Sequence, residues 1–326
     1  MRDPASDPPT DLAAVVIGRN EGARLIACLD SLAGQAGRVV YVDSGSIDGS
    51  AEAARARGAD VVALDPAASF TAARARNAGL ERLAEDGLPA FVQFVDGDCT
   101  LAPGWIGIAR AALEADPGLA VVCGRRRERH PEASLWNRLI DREWDRPPGE
   151  TAACGGDFLA RAAAVRAVGG FDGRVIAGEE PELCLRLRRA GWRIRRLDAE
   201  MTSHDAAMTR FGQWWRRARR AGYAFALGAA MHGAPPDRHY VPELRRALLW
   251  GAALPLLTLC LALIASPWAV LLLLAYPAQV ARLAWREGDL AAAAFLVLAK
   301  LPEASGAARF ALDRARGRAP GIIEYK

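Results

Sequence analysis

The sequence predicts an α/β fold with helices flanking a mainly parallel sheet, followed by hydrophobic C-terminal helices. The first observation is an alternation of short apolar runs and helical patterns over the first half of the 326 residues, typical of βαβ units. The second is Ala247–Ala281, about 35 residues without a charged side chain, where a spanning helix needs about 20. We therefore expect a disordered N-terminus (1–11), an α/β domain (12–240) and a membrane-associated helical region (241–326).

Each element of the α/β domain is assigned from its residue pattern. Short runs rich in β-branched residues predict buried strands at Ala13–Ile17, Val39–Val42, Val61–Leu64, Ala90–Val95 and Leu119–Cys123. Helical patterns lie between them at Ala23–Leu32, Ser50–Arg57, Ala72–Ala84 and Trp105–Glu114. A further helix is predicted at Glu179–Ala190 and a further strand at Trp192–Leu197. Ligands bind beyond the carboxyl ends of parallel strands, so residues that follow the strands are the first candidates for chemistry.

Composition excludes several classes of protein. The net charge of +4 argues against a nucleic-acid partner. The six cysteines are scattered without a C-x-x-C pair, which disfavours a zinc site or a disulfide framework. Residues Met1–Asp11 have no basic segment followed by an apolar core, so we expect no signal peptide and a cytoplasmic α/β domain.

Two acidic motifs follow predicted strands. Asp96 and Asp98 end the fourth strand with a glycine between them, and carboxylate oxygens are the ligands that Mg²⁺ and Mn²⁺ prefer. A plain Asp-Gly turn is the alternative. Asp43 and Ser44 follow the second strand and open a Ser/Gly loop that leads into a helix. Asp43 is the functional candidate there, whereas Asp48–Ser50 fit a helix cap.

Three further sites also have a structural alternative. Asn20 and Glu21 follow the first strand, where helix capping alone accounts for both. Glu179 and Glu180 open a helix, which favours acidic residues by its dipole, but a carboxylate there also suits a general base. His204 is expected in a polar loop beyond the strand ending at Leu197, as a metal ligand or a structural histidine.

The C-terminal region has the pattern of a membrane hairpin. Ser266-Pro267 divides the uncharged stretch, and Arg245-Arg246 and Arg282 flank it, which predicts two cytoplasmic ends. A hairpin lying in the membrane plane is the alternative. Leu290–Ala299 is apolar but too short to span alone. The Trp/Arg-rich stretch 211–220 is interpreted either as a site for phosphate groups or as a helix at the membrane interface.

Together these motifs resemble glycosyltransferase family 2. The resemblance covers about Leu12–His204 and depends on the order and spacing of the motifs. They are Asn20-Glu21, Asp43 to Ser50, Arg76-Asn77-x-Gly79, Asp96-x-Asp98, Gly169 to Asp172, and Glu179 to Gly191.

This resemblance implies a GT-A nucleotide-diphospho-sugar transferase fold and a set of roles. Asp43 is expected to recognise the nucleobase, with Glu21 and Asp96 near the ribose. The rest of the nucleotide-sugar site is expected at Asn20, Ser44 and Arg76. Asp98 would bind a divalent cation, Mg or Mn, with His204. The family commonly has Glu-Asp where this chain has Glu179-Glu180, so the catalytic base is Glu180 or Glu179.

The function implied is inverting transfer of one sugar from a nucleotide-sugar donor to a lipid-linked or glycan acceptor at the inner (cytoplasmic) membrane. Transfer of a single sugar is favoured because Gln213 to Arg217 departs from the Gln-x-x-Arg-Trp string that processive members resemble. The alternatives are a non-catalytic membrane protein that binds nucleotide-sugars and a sugar nucleotidyltransferase. The latter would want a Gly-rich phosphate loop with a basic residue after the first strand, and residues 18–22 match it poorly.

Overall fold

A computed structural model describes residues 11–318. The N-terminal segment expected to be disordered lies outside the described residues, apart from Asp11. The described chain divides into two compact units, each described by itself. The first comprises the residues up to Arg174 together with Glu179–Ala207, and the second comprises Val175–Gly178 and the residues from Met208 onward. The sequence placed the domain boundary later, at 240.

The first unit contains a nine-stranded mixed sheet. Its strands are β1 (Leu12–Gly18), β2 (Arg38–Asp43), β3 (Asp60–Ala63), β4 (Phe91–Asp96), β5 (Cys99–Leu101), β6 (Leu119–Glu128), β7 (Gly149–Glu150), β8 (Phe158–Arg161) and β9 (Arg193–His204). Its helices are α1 (Ala23–Leu32), α2 (Ser50–Ala56), α3 (Ala72–Glu85), α4 (Trp105–Ala115), α5 (Leu135–Trp144), α6 (Ala162–Ala167) and α7 (Glu179–Arg189).

The strand order is β3-β2-β1-β4-β8-β6-β9-β5, and β7 pairs with β9 at the side. Strands β1 to β4 have the predicted parallel arrangement, because β1 pairs in parallel with both β2 and β4, and β2 with β3. Beyond β4 the sheet is mixed, since β8 runs antiparallel to β4 and β6. The parallel half therefore aligns the carboxyl ends of four strands at one edge.

The sheet is packed by apolar side chains on both faces. Six of the seven residues of β1 are buried, and Gly18 at its end is half-buried. Strand β4 is buried over Phe91–Val95. Such continuous apolar runs are expected where helices cover a parallel sheet. The polar Gln93 is fully buried within β4, and its Oε1 accepts a hydrogen bond of 2.9 Å from Trp105 Nε1. The buried polar side chain of Gln93 therefore has a hydrogen-bond partner within the core, in the same strand that carries Asp96.

The second unit is helical. It contains α8 (Phe211–His232), α9 (Val241–Leu248), α10 (Leu254–Ile264), α11 (Ala275–Glu287), α12 (Leu290–Leu298) and α13 (Lys300–Ala315), with a π-helical segment at Leu249–Ala253 and a 3₁₀ segment at Pro267–Leu274. Three stretches are long and apolar enough to cross a membrane: Val241–Ile264, Pro267–Glu287 and Leu290–Ala315. The apolar piece Leu290–Ala299, expected to be too short to span alone, is continued by α13 into one of these three stretches.

Helices α8 and α13 approach each other closely at glycines. A Cβ atom on Gly222 would lie 1.9 Å from the Glu303 carbonyl oxygen, and one on Gly306 would lie 2.0 Å from the Arg219 carbonyl oxygen. Real side chains cannot occupy these distances. Glycine at both positions therefore allows the two backbones to touch, the device that small residues provide between membrane helices.

Candidate active site

The carboxyl edge of the parallel strands brings together the residues that follow β1, β2 and β4. In the register of the sheet, Gly18 lies opposite Asp43 and Ile17 lies opposite Asp96. The backbone N–H of Ser44 donates to the Gly18 carbonyl at 3.0 Å. The first, second and fourth strands thus end side by side, which is the arrangement that the sequence predicts.

Asp43 organises the loop that follows β2. Its carboxylate is buried and accepts hydrogen bonds from the Tyr41 hydroxyl at 3.0 Å and from the backbone N–H groups of Gly45 at 3.1 Å and Ser46 at 2.9 Å. Gly45 adopts a φ of 81°, a left-handed conformation in which glycine is unstrained. The loop is consequently held in a single shape beside the strand ends.

Asn20 links the loop after β1 to the loop after β2. Its Oδ1 accepts from the Ile47 N–H at 2.8 Å, and its own N–H donates to Ser46 Oγ at 2.9 Å. The alternative that Asn20 caps α1 is wrong, since the helix starts after Gly22 without a side-chain cap. Glu21 forms an ion pair of 2.7 Å with Arg24.

The most densely charged part of this edge surrounds Arg76 of α3. The side chain is 2% exposed and contacts three carboxylates: Asp96 Oδ1 at 2.8 Å, Glu179 Oε1 at 2.9 Å and Glu180 Oε1 at 2.9 Å. Burial alone would lower the pKa of Arg76, but Glu180, Asp96 and Glu179 together raise it above its ordinary value. One guanidinium thus faces three acids, so this cluster has an excess of negative charge.

The two glutamates of α7 differ in their surroundings. The side chain of Glu180 is 12% exposed and that of Glu179 is 6% exposed. Burial and the neighbouring Glu179 raise the pKa of Glu180 to about 7, against the lowering effect of Arg76. A carboxylate with a pKa near neutrality and some access to solvent has the properties of a general base.

The neighbouring side chain on α3, Asn77, fixes the Gly169–Asp172 motif. Its Nδ2 donates to the Phe171 carbonyl at 2.7 Å, and its Oδ1 accepts from the Phe171 N–H at 2.8 Å. The Phe171 ring in turn lies 5.5 Å from the Arg76 guanidinium carbon, within the range of a cation–π contact. The Arg-Asn pair of the sequence therefore places α3 against this turn as well as against the acids.

Asp157 and Arg126 complete the surroundings of Asp96. The fully buried Asp157 accepts from the Asp96 N–H at 3.0 Å and from the Thr202 hydroxyl at 2.7 Å. Arg126 of β6 donates to Asp96 Oδ2 at 3.2 Å. Gly156 lies so close that a Cβ atom there would be 2.5 Å from Asp96 Oδ2, so a larger residue would displace the Asp96 carboxylate.

Asp98 and His204 face each other at the end of the sheet. The distance from His204 Nε2 to Asp98 Oδ2 is 3.2 Å, and the other ring nitrogen, Nδ1, lies 3.6 Å from Glu128 Oε2. Burial, with the charge of Arg126, lowers the pKa of His204, which favours the neutral imidazole that metal ions need. The nearby Cys99 thiol has its pKa raised by burial, so it remains protonated.

His204 reaches this position because β9 is longer than predicted. The expectation of a polar loop after Leu197 is wrong, since β9 continues through His204. Irregularities in its pairing with β6 accommodate the extra length, and its last residues also pair with β5, where Cys99 lies opposite His204. The strand end therefore brings the imidazole next to the residue that precedes Cys99.

Four residues of the site were not singled out from the sequence: Arg126, Glu128, Trp144 and Asp157. Trp144 lies with its ring 4.8 Å from the Arg126 guanidinium carbon and 4.9 Å, edge to face, from the His204 ring. Arg126 belongs to a basic run, Arg125–Arg129, and the sequence alone does not show which member of that run faces the site. Asp157 directly follows the Gly155-Gly156 turn, and that turn was its only signal.

The sequence models of two families match this chain. The model of glycosyl transferase family 2 matches residues 14–160, and that of glycosyl transferase family group 2 matches residues 143–285. The pre-mycofactocin glycosyltransferase of Mycobacterium tuberculosis, from two strains, is 31% identical over 252 residues, which are 73% of this chain and 51% of that protein. The chain thus spans about half the length of these relatives.

Solved structures share the fold. A mannosyltransferase of Pyrobaculum calidifontis, determined with GDP-Man and Mn²⁺, has a TM-score of 0.64 at 21% identity, over 96% of this chain and 92% of that one. TarS of S. aureus, residues 1–349, has a TM-score of 0.52 at 14% identity, over 94% and 92%. Together with the strand edge described above, these likenesses show that the first unit has the GT-A fold. The chain belongs to glycosyltransferase family 2.

Proposed function

We propose that this protein transfers one sugar, with inversion, from a nucleoside-diphosphate sugar to an acceptor hydroxyl at a membrane. The observation that carries this proposal is the group of three carboxylates around Arg76, with Glu180 raised to a pKa of about 7. That group lies at the sheet edge where ligands of such folds bind. An acid cluster with one member tuned towards neutrality suits removal of a proton from a hydroxyl.

Glu180 is the base in this mechanism. Its carboxylate takes the proton of the acceptor hydroxyl while the acceptor oxygen forms a bond to the anomeric carbon. The bond from that carbon to the nucleoside diphosphate breaks on the opposite side, so the configuration inverts. Arg76 orients both glutamates, and its contact with Glu179 keeps that more buried carboxylate in place as a positioning residue.

Asp98 and His204 would hold a divalent cation, Mg or Mn. Their donor atoms face each other at 3.2 Å, and Glu128 lies against the other side of the imidazole, as carboxylates do behind metal-bound histidines. A bound divalent cation supplies positive charge that stabilises a leaving diphosphate. The fold relative from Pyrobaculum calidifontis was determined with GDP-Man and Mn²⁺, which supports a nucleotide-sugar and a divalent cation here.

The nucleotide would bind along the loops after β1 and β2. Asp43 is assigned to the nucleobase, and Glu21 and Asp96 to the ribose. Asn20 and Ser44 would shape the loop, since Asn20 links the two strand ends.

The acceptor is assigned to the membrane, as a lipid-linked sugar or a glycan precursor. The three apolar stretches long enough to span support this. Arginines flank the uncharged stretch at both ends, at Arg245-Arg246 and Arg282. By the preference of such residues for the cytoplasmic side, the catalytic part would face the cytoplasm at the inner membrane.

The test is a donor screen with full-length protein in detergent. Release of nucleoside diphosphate would be followed from UDP-, GDP- and dTDP-sugars with Mn²⁺ or Mg²⁺ in the presence of a membrane lipid extract. We expect metal-dependent turnover of one donor that is lost in Asp98→Ala. Asp60→Asn, which changes a half-buried carboxylate paired with Arg38 and Arg82 outside the site, is the matched control. Donor binding without turnover of any donor would contradict catalysis and favour a nucleotide-sugar-binding protein.

A further inference from the structure

A cavity lies within the helical unit, distant in sequence from the residues assigned to sugar transfer. Its volume is about 370 Å³, within the range of small-ligand sites. Four cationic side chains line it: Arg246, Arg282, Arg286 and Lys300. Among the described residues, no carboxylate belongs to the lining.

Two of the four cations are neutralised by neighbours on their own helices. Arg246 forms an ion pair of 2.8 Å with Glu243, and Lys300 forms one of 2.6 Å with Glu303. Arg282 donates to the neutral side-chain oxygen of Gln279 at 3.0 Å. Within residues 11–318, Arg282 and Arg286 have no carboxylate partner, so the cavity has a positive excess.

Apart from Gln279 and the four cations, the lining is apolar. Trp250 and Leu283 line the cavity together with Leu296, which is 48% exposed. A water-soluble anion gains nothing from such walls, whereas an amphiphile with a charged head gains from both halves. Tryptophan beside arginine is also the combination found at the level of lipid headgroups.

The topology explains why cations meet here. Arg246 precedes the uncharged stretch 247–281 and Arg282 follows it, yet both line one cavity. The two ends are held together, since the Tyr276 hydroxyl donates to the Trp250 carbonyl and their rings lie 5.9 Å apart. If the apolar turn enters the bilayer, its two charged ends lie at the same membrane surface.

We propose that this cavity binds the phosphate headgroup of an anionic phospholipid, with Arg282 and Arg286 on the phosphate and Trp250 and Leu283 against the glycerol and acyl part. Basic pockets between membrane helices recognise such headgroups. The site is independent of the sugar-transfer site, and it anchors the hairpin by a specific lipid in addition to general hydrophobic contact.

The test measures lipid binding directly. Full-length protein in a neutral detergent is titrated with phosphatidylglycerol and, separately, with phosphatidylcholine, and bound lipids are counted by native mass spectrometry. We expect one phosphatidylglycerol to bind more tightly than phosphatidylcholine. Arg282→Gln/Arg286→Gln removes two cations and is expected to weaken that binding by roughly thirtyfold.

Two further variants control the interpretation. Arg314→Gln/Arg316→Gln removes the same charge from exposed positions of the same unit outside the cavity, and binding should change by less than about threefold, as expected for a screened surface charge. Arg282→Lys/Arg286→Lys keeps the charge and is expected to retain most of the binding.

Three results would overturn the proposal. Equal losses in the Arg314/Arg316 variant would mean general attraction to the protein surface. Equal binding of phosphatidylcholine would mean that the headgroup charge is not recognised. Displacement of the lipid by inorganic phosphate at comparable concentration would mean a site for free anions.

Discussion

The two units bury their apolar side chains to different extents. In the first unit, the sheet strands and the helices against them form one buried core. Among the described residues, only Ile47 and Ile108 of that unit are large apolar side chains exposed to the surroundings, whereas the remaining ones, mostly leucines, lie in the second unit. A surface with so many exposed leucines is not stable in water. The difference indicates that the second unit is suited to a lipid environment.

The two units also differ in how their charged side chains are paired. In the first unit, buried acids and arginines contact each other, as Arg76 does with Asp96 and the two glutamates. In the second unit, arginines without carboxylate partners surround a cavity with apolar walls. In the first unit, the contacts between buried acids and arginines hold the side chains of the candidate site in place. In the second unit, the cations without carboxylate partners are available to bind an anion from outside the protein. The following predictions test whether chemistry is confined to the first unit.

The largest effect is expected for Glu180→Gln, which removes the proposed base without changing its size. Loss of general-base catalysis lowers the rate by roughly 10² to 10⁴. We expect kcat to fall by that factor while donor affinity, measured by calorimetry, stays close to the wild-type value. Glu179→Gln is the matched variant, and a greater loss there would transfer the base role to Glu179.

Removal of the proposed metal ligand comes next. Asp98→Ala is expected to lower activity roughly a hundredfold or more at a fixed Mn²⁺ concentration, because the charge that stabilises the diphosphate is lost. A titration of activity with Mn²⁺ measures the effect. The prediction fails if the Mn²⁺ dependence of Asp98→Ala coincides with that of the wild type.

The pH dependence of kcat/KM should show an acid limb. A base works in its deprotonated form, and the pKa of Glu180 is raised to about 7, so activity should fall about tenfold per pH unit below that value. Above it, activity should be level. Initial rates from pH 5 to 9 measure the profile, and an unchanged limb in the residual activity of Glu180→Gln would assign it to another group.

A smaller loss is expected for Glu128→Gln. The carboxylate lies 3.6 Å from His204 Nδ1, and mutation of groups behind metal ligands typically weakens metal affinity ten- to a hundredfold. The apparent Mn²⁺ constant should therefore rise by about that factor, with recovery of activity at saturating Mn²⁺. No recovery at high Mn²⁺ would indicate a role other than support of the histidine.

Gly222→Ala is expected to lower stability through the second unit alone. The new Cβ atom would lie 1.9 Å from the Glu303 carbonyl, and such overpacking destabilises by roughly 1 to 3 kcal/mol. Thermal unfolding in detergent measures it. Gly212→Ala, on the same helix with only the Arg216 side chain nearby at 3.6 Å, is the control. Equal melting temperatures for both variants would contradict the close approach of α8 and α13.

The sequence predicted the parallel strands well because their apolar runs are short and rich in β-branched residues, and those of β1 and β4 are almost entirely buried. Val39–Val42 was predicted and Arg38–Asp43 is observed, and Asp43 follows as the first polar residue. The spacing of apolar residues and the length of an apolar run are local properties, so they can be read from the sequence itself. The position of the candidate site follows from the rule that ligands bind beyond the carboxyl ends of parallel strands.

The charged cluster was less predictable because its members are far apart in the chain. Arg76 and Glu179 are separated by 103 residues, and no local pattern shows that they meet. The burial of Asp157 and the inward direction of Arg126 likewise depend on how β8 and β6 enter the sheet. The length of β9 was missed because its last residues, Thr202 to His204, are polar, while their partners in β5 and β6 make them a strand.

One hydrogen bond of the site allows local opening of the first unit to be measured by hydrogen exchange. The Asp96 amide donates to the fully buried Asp157 carboxylate, so its proton exchanges with deuterium when that hydrogen bond breaks. The exchange rate of this single amide would measure the free energy of local opening at the candidate site in whatever detergent or bilayer holds the rest of the chain.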